Sequence, residues 1–152
     1  MGTPNYFFID LYQQLLYIQC MQTFLAYADF DESAKVLDPS RLGNQVYREG
    51  KTLIMGGWPN HPASKMWKNY KTALAEYCLA CLRELTKRGR HYQHHIDFFT
   101  TIRNENELIL PHWLGNKEFH LAHQSNLIRK LPAHYKQYFG DIPDNLPYVW
   151  PT

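Results

Sequence analysis

A chain of 152 residues falls in the range filled by one hydrophobic core, which argues against two domains of ordinary size. With 45% apolar, 15% aromatic and 20% charged residues it can fill that core, and it lies far from the composition of disordered chains. The net charge of +2 hides a division: residues 35–90 carry eleven Lys or Arg against four acids, a surplus of seven, while the remainder carries five against ten. A basic middle makes polyanions plausible partners, and its charges are expected to gather on one face around Arg41, Arg48 and Glu49.

The first twenty residues, Met1 to Cys20, are apolar but broken by Pro4, Asn5, Asp10, Gln13 and Gln14. They fall short of the roughly 18 to 20 uninterrupted apolar residues of a membrane span, and they lack the basic start and small-residue cleavage site of a signal peptide. A soluble, intracellular protein without a membrane role is expected. Cys20, Cys78 and Cys81, an odd and sparse set, fit a reducing compartment.

From residue 28 onward the periodicity is helical, and no stretch alternates long enough to make a strand. Asp29 or Asp31 can cap a short helix through Val36, and Asp38-Pro39 opens a second that runs to about Met55 and the Gly56-Gly57 turn. Met66, Tyr70, Leu74, Tyr77, Cys81 and Leu85 then recur at three- and four-residue steps, predicting one long helix that Gly89 stops after Lys87-Arg88. Further helices are expected from His94 to Arg103, from an Asn116 cap through Lys130, and from Pro132 to near Gly140. The tail from Asp141 holds Pro143, Pro147 and Pro151 beside Leu146, Tyr148, Val149 and Trp150, so it should be extended yet packed.

Cys78-x-x-Cys81 has redox or zinc spacing, but no second pair completes a zinc site and both sulfurs lie near an apolar stripe, where small core residues belong. His91, His94 and His95 cluster after Gly89, and His120 and His123 lie three apart. Neither set has acidic or Cys partners in view, so no metal is assigned. The helix from Pro39 to Met55 is richer, because Arg41, Asn44, Gln45, Arg48 and Glu49 fall at helical steps and several can share a face. Arg41, Gln45 and Arg48 can grip phosphates around the Glu49 carboxylate. Ordinary ion pairs on a solvated helix face would give the same pattern.

Taken in order, several segments resemble the phage endonuclease V family of pyrimidine-dimer DNA glycosylases. They are Met21-Gln22-Thr23-Phe24-Leu25, Arg41-Leu42-Gly43-Asn44-Gln45 with Tyr47-Arg48-Glu49, Gly57-Trp58-Pro59-Asn60-His61-Pro62, Lys87-Arg88-Gly89, and Pro132 through Gly140. The resemblance spans about Met21 to Trp150 and leaves residues 1–20 as an N-terminal extension before a helical domain of 21–152. It implies a compact single-domain all-α bundle with an extended Pro-rich C-terminal tail. It also implies Glu49 as the catalytic carboxylate and Arg48 as a ligand of substrate phosphate. The family's nucleophile is the α-amine of a processed N-terminal Thr. Thr23 stands near that place with an amide nitrogen, whereas a chain starting at Met21 keeps its amine on Met21, because initiator Met is normally retained before Gln22.

The expected function is a DNA glycosylase, with or without AP-lyase activity, acting on damaged or modified pyrimidines in duplex DNA as a monomer and needing no cofactor. Glu49, Met21 and Thr23 are the catalytic candidates. Arg41, Asn44, Gln45, Tyr47, Arg48, Lys51, His61, His123, Arg129 and Lys130 are the DNA-binding candidates. The alternative from another class is a non-catalytic DNA-binding or phage accessory protein that keeps the fold.

Overall fold

The computed structural model describes residues 23–151; Cys20, Met21 and the expected extension over residues 1–20 lie outside them. Helix α1 (Phe30–Lys35) starts where the Asp29 carboxylate accepts the Glu32 amide at 2.8 Å, as a capping Asp should. Helix α2 (Pro39–Asn44) runs without interruption into a π-helical segment (Gln45–Gly50) and then α3 (Lys51–Ile54). Asp38 stands at the cap position of α2, but its carboxylate turns to Arg41 and the Tyr135 hydroxyl instead of the helix amides.

The predicted long helix is two. Helix α4 (Pro62–Trp67) ends in a turn at residues 68–70, and α5 (Lys71–Lys87) begins after Tyr70 leaves the helical region at φ −128°, ψ 43°. Asn69 is a weak helix former, and the Trp67 indole before the turn faces inward to bond Thr23 Oγ1 at 2.7 Å. Helix α5 is the central element. Thr72, Ala73, Leu74, Ala75, Tyr77, Cys78, Ala80, Cys81, Leu82 and Leu85 are all buried, which covers most of its circumference. Gly89, at φ +86°, adopts the left-handed conformation that ends it. Helices α1, α6 (Gln93–Arg103) and the π segment pack on α5, and α7 (Lys117–Lys130) pairs with α8 (Pro132–Phe139). The fold class is all-α, with no strand among the described residues. No helix among them is long and apolar enough to cross a membrane.

The two helical cysteines are free and buried, and burial pushes the Cys81 thiol up to about 12. Cys78 has a packing role. A Cβ added at Gly50 would collide with Cys78 Sγ and lie 2.6 Å from the Gln45 carbonyl oxygen, so the widened helical turn sits on α5 only because Gly50 is bare. The tail beyond α8 has no helix. Leu146 donates to Ser125 Oγ at 3.0 Å, and Tyr148, Val149 and Trp150 pack against the core.

The least ordinary element of the core is a non-helical segment, residues 23–26, buried throughout. A non-helical chain buried in a helical protein has no helical ladder of its own, and its backbone groups need partners. Side chains supply them. Phe24 N–H donates to Gln45 Oε1 at 3.1 Å, and the Tyr77 hydroxyl donates to the Phe24 carbonyl. Leu25 N–H donates to His123 Nδ1 at 2.8 Å, and His120 Nδ1 donates to the Leu25 carbonyl at 2.9 Å. Gln124 Nε2 donates to the Ala26 carbonyl at 2.8 Å. His120 and His123, three apart on α7, thus bond both backbone groups of Leu25 as a neighbouring strand would.

Two outcomes follow from this packing. Gly50→Ala forces apart the π segment and α5 and should cost about 1 to 3 kcal/mol, with Cys78→Ala restoring only part because the carbonyl contact remains. Urea unfolding measures both, and a Gly50→Ala protein as stable as the parent would contradict this packing. His123 is wholly buried, and burial holds its imidazole at about 3, far below the free value. The unfolded chain therefore binds a proton below about pH 6.5 that the native state refuses, so stability is full above that pH and falls on acidification toward pH 3. Between pH 6.5 and 5 the loss from His123 is about 2 kcal/mol. His123→Leu should be less stable at pH 8 yet flatter by about one proton in a plot of stability against pH; an unchanged slope would contradict the neutral buried imidazole.

Candidate active site

The i, i+4 stripe Arg41, Gln45 and Glu49 of the continuous 39–54 helix faces an open pocket of about 170 Å³, completed by Phe24, Ser40, Asn44 and Lys130. Glu49 forms part of the wall with only 6% of its surface exposed, and Gln45 Nε2 donates to Glu49 Oε2 at 3.1 Å. A carboxyl group this buried, with a hydrogen-bond donor on one oxygen, is held in place with little water around it. Two cations stand by. Arg41 bonds the buried Asp38 at 3.2 Å, and Lys130 arrives from the end of α7 with Nζ 5.9 Å from the centre of the Phe24 ring.

Asp38 fixes Arg41. Burial pushes the Asp38 carboxyl up, but the Tyr135 hydroxyl and the Arg41 guanidinium outweigh it and hold it below the ordinary carboxylate value. Asp38 N–H in turn donates to Tyr135 Oη at 2.9 Å, which ties the start of α2 to the fully buried Tyr135 of α8. Arg41 is therefore held by a charge-assisted contact while still lining the pocket.

Of the residues singled out in sequence, Arg41, Asn44, Gln45, Glu49 and Lys130 come together here. The others do not. Tyr47 lies half a helical turn from Glu49, with its ring 4.5 Å from that of His95 and 5.4 Å from that of Tyr92. Arg48 is exposed on the outer face of the helix, between those two directions. Lys51 Nζ sits 5.1 Å from the centre of the Phe98 ring. His61 caps α4 by accepting the Ala63 amide at 3.0 Å and packs on Trp150. His123 is buried against the Leu25 amide, and Arg129 donates to the Asp144 carbonyl at 2.6 Å, fastening the tail to α7. Thr23 is buried beneath the Trp67 indole, and Met21 lies outside the described residues.

The basic middle of the chain does not converge on this pocket. Arg83 pairs with Asp31 of α1 at 3.0 Å and Arg88 with Glu84 at 2.9 Å, because charges on the solvated side of α5 find acids on that helix and its neighbour. Lys65, Lys68 and Lys71 surround a larger cavity of about 460 Å³ floored by Leu53, Ile54, Trp67 and Leu74. Among the described residues that line it, that cavity has no carboxylate, whereas the smaller pocket has Glu49, a group with which acid–base or electrostatic chemistry can act. Among the described residues no three His, Cys, Asp or Glu side chains form a group able to hold a metal ion.

Sequence reading missed Phe24 and Ser40 in the wall, and missed the polar groups of α5 and α7 that hold residues 23–26. The His120/His123 spacing was the visible signal, but it marked two ring nitrogens aimed at one backbone residue and not a ligand pair. No curated protein and no solved structure matches the chain. Residues 21–100 match the family model for pyrimidine dimer DNA glycosylase, a stretch that contains the Arg41, Gln45 and Glu49 stripe and the buried 23–26 segment. The match covers more than half of the sequence, and the chain belongs to the pyrimidine dimer DNA glycosylase family.

Proposed function

We propose that this protein is a DNA glycosylase that releases damaged pyrimidines from duplex DNA, with Glu49 as its catalytic carboxylate. The observation that carries this reading is a buried carboxylate in the wall of an open pocket, flanked by Arg41 and Lys130. Cleavage of the N-glycosidic bond builds positive charge on the sugar at C1′, and a fixed anion with little competing water stabilises that charge more than it stabilises the neutral ground state. Arg41 and Lys130 hold the phosphates beside the reacting sugar, and Asn44 and Ser40 offer hydrogen bonds at the mouth. The exposed Arg48 serves a flanking phosphate. The target nucleotide leaves the stack to reach this pocket.

The AP-lyase part of the reading rests on the chain before Phe24. Thr23 contributes an amide nitrogen, which cannot attack C1′. A form that begins at Met21 carries its α-amine three residues before Phe24, within about 10 Å of extended chain. That amine attacks C1′ as the base departs with the bonding electrons. Loss of a proton from nitrogen and opening of the sugar ring then give the Schiff base from which the strand is broken. An α-amine titrates near about 7.7 to 8, so a useful fraction is unprotonated at neutral pH. The reading also takes duplex DNA as the partner, a monomer as the acting unit and the cell interior as the setting.

The test is base release from a duplex with one cyclobutane pyrimidine dimer, under single-turnover conditions. Glu49→Gln should lose at least about 10²-fold in rate while keeping its affinity for the duplex. A form starting at Met21 should give more borohydride-trapped covalent complex than the full chain, and acetylation of its amine should remove the difference. Undiminished base release by Glu49→Gln would overturn the carboxylate's role. Salt-dependent DNA binding with no base release by either form would favour a non-catalytic DNA-binding protein.

A further inference from the structure

We infer that Gln45 is the positioning residue of this site, a single carboxamide that sets the 23–26 segment in register with the Glu49 carboxylate. The inference rests on Glu49 being the catalytic group.

In the sequence Gln45 reads as a phosphate ligand on a helix face. In the structure it is 1% exposed and its two ends are committed inward. Oε1 accepts the Phe24 N–H at 3.1 Å and lies 3.4 Å from the Tyr77 hydroxyl, while Nε2 donates to Glu49 Oε2 at 3.1 Å. The orientation of the amide is forced. A backbone N–H can only be met by the carbonyl oxygen, so the NH₂ must face the carboxylate and can only donate to it. One planar group therefore links a backbone atom of the buried segment to a carboxylate oxygen, leaving little freedom for either to move alone.

The helix is built to allow this. Gln45 and Glu49 open and nearly close the π-helical segment, and the widened turn brings the Gln45 carbonyl within 2.6 Å of where a Gly50 Cβ would stand. Widened turns of this kind are rare and are often found at functional sites. Here the turn is packed on Cys78 and Tyr77 of α5, so its geometry is set from behind by the core.

The charge environment gives Gln45 a second effect. Among the described residues, the groups near the Glu49 carboxylate include Arg41 on its own helix, Lys130 from α7, and Tyr77, Cys78 and Cys81 from α5. Burial raises the three α5 groups, and the Glu49 charge adds to the rise, so they stay protonated and neutral. A donor on Oε2 favours the ionised carboxylate over the protonated one. Gln45 thus works on both position and protonation, and the two can be separated by experiment.

Gln45→Met keeps the volume and removes the hydrogen bonds to Phe24 N–H and to Glu49. Gln45→Glu keeps an acceptor for Phe24 N–H but sets a second negative charge against Glu49. Measured by single-turnover base release from the dimer-containing duplex, Gln45→Met should fall on the order of 10²-fold at saturating DNA with duplex affinity nearly unchanged. The acid limb of its pH profile should move to higher pH. Gln45→Glu should bind DNA and show a larger upward shift of the same limb, with activity recovering as the pH is raised. Profiles of both variants that superimpose on the parent would overturn the inference, and so would a loss confined to thermal stability or DNA affinity. Should Gln45→Met fail to fold, the Gln45→Glu profile alone decides. Full activity in Glu49→Gln is a separate result that removes the catalytic carboxylate itself, whatever Gln45 does.

Discussion

Four residues of non-helical backbone, 23–26, run through the interior of a helical protein, and polar side chains of the core satisfy them. An unpaired buried amide or carbonyl costs on the order of 1 to 3 kcal/mol, so a segment of this kind is tolerable only when its groups are met one by one. Gln45, Tyr77, His120, His123 and Gln124 meet them from three different helices. Apart from Tyr77, none of these side chains would be placed in the middle of a bundle by hydrophobic patterning. Each costs desolvation, and that cost is visible in His123, whose Nε2 is buried with no partner among the described residues and whose imidazole is held neutral far into the acid range.

This constraint connects fold to chemistry. Gln45 reaches the Phe24 amide from one side and the Glu49 carboxylate from the other, and Phe24 itself forms part of the pocket wall. Holding the segment and building the pocket are the same act. The small residues around them serve that geometry, with Gly50 bare against Cys78 so that the widened helical turn can seat on α5. Asp38 plays the corresponding part for Arg41, held between guanidinium and the Tyr135 hydroxyl.

Much of the helical framework was legible in the residues. Asp29 and Asn116 cap where they were expected to, Gly89 stops α5, and the apolar tail with its prolines packs without a helix. These are local signals, each decided by one or two dihedral angles or by one side chain. The division of the long helix at residues 68–70 was not legible, because apolar spacing carries across a turn when both sides face the same core. The π-helical turn was hidden for a related reason: its cause lies in Gly50 meeting Cys78, 28 positions away in the chain. The site was half legible. The Arg41, Gln45 and Glu49 stripe follows from helical steps, but a 3.6-residue repeat cannot say that Tyr47 turns to His95 or that His123 turns to Leu25. Charge was the weakest guide, since Arg83 and Arg88 are spent on Asp31 of α1 and Glu84 of α5.

Amide hydrogen exchange resolved to single residues is the most direct measure of whether residues 23–26 are core and not a fraying end. With their backbone groups bonded to buried side chains, the Phe24 and Leu25 amides should open only with the whole molecule. Their exchange free energies should then fall within about 1 kcal/mol of the most protected amides of α5. Exchange of Phe24 and Leu25 at rates typical of loops, while α5 remains protected, would contradict both the anchoring of this segment and the geometry it imposes on Glu49.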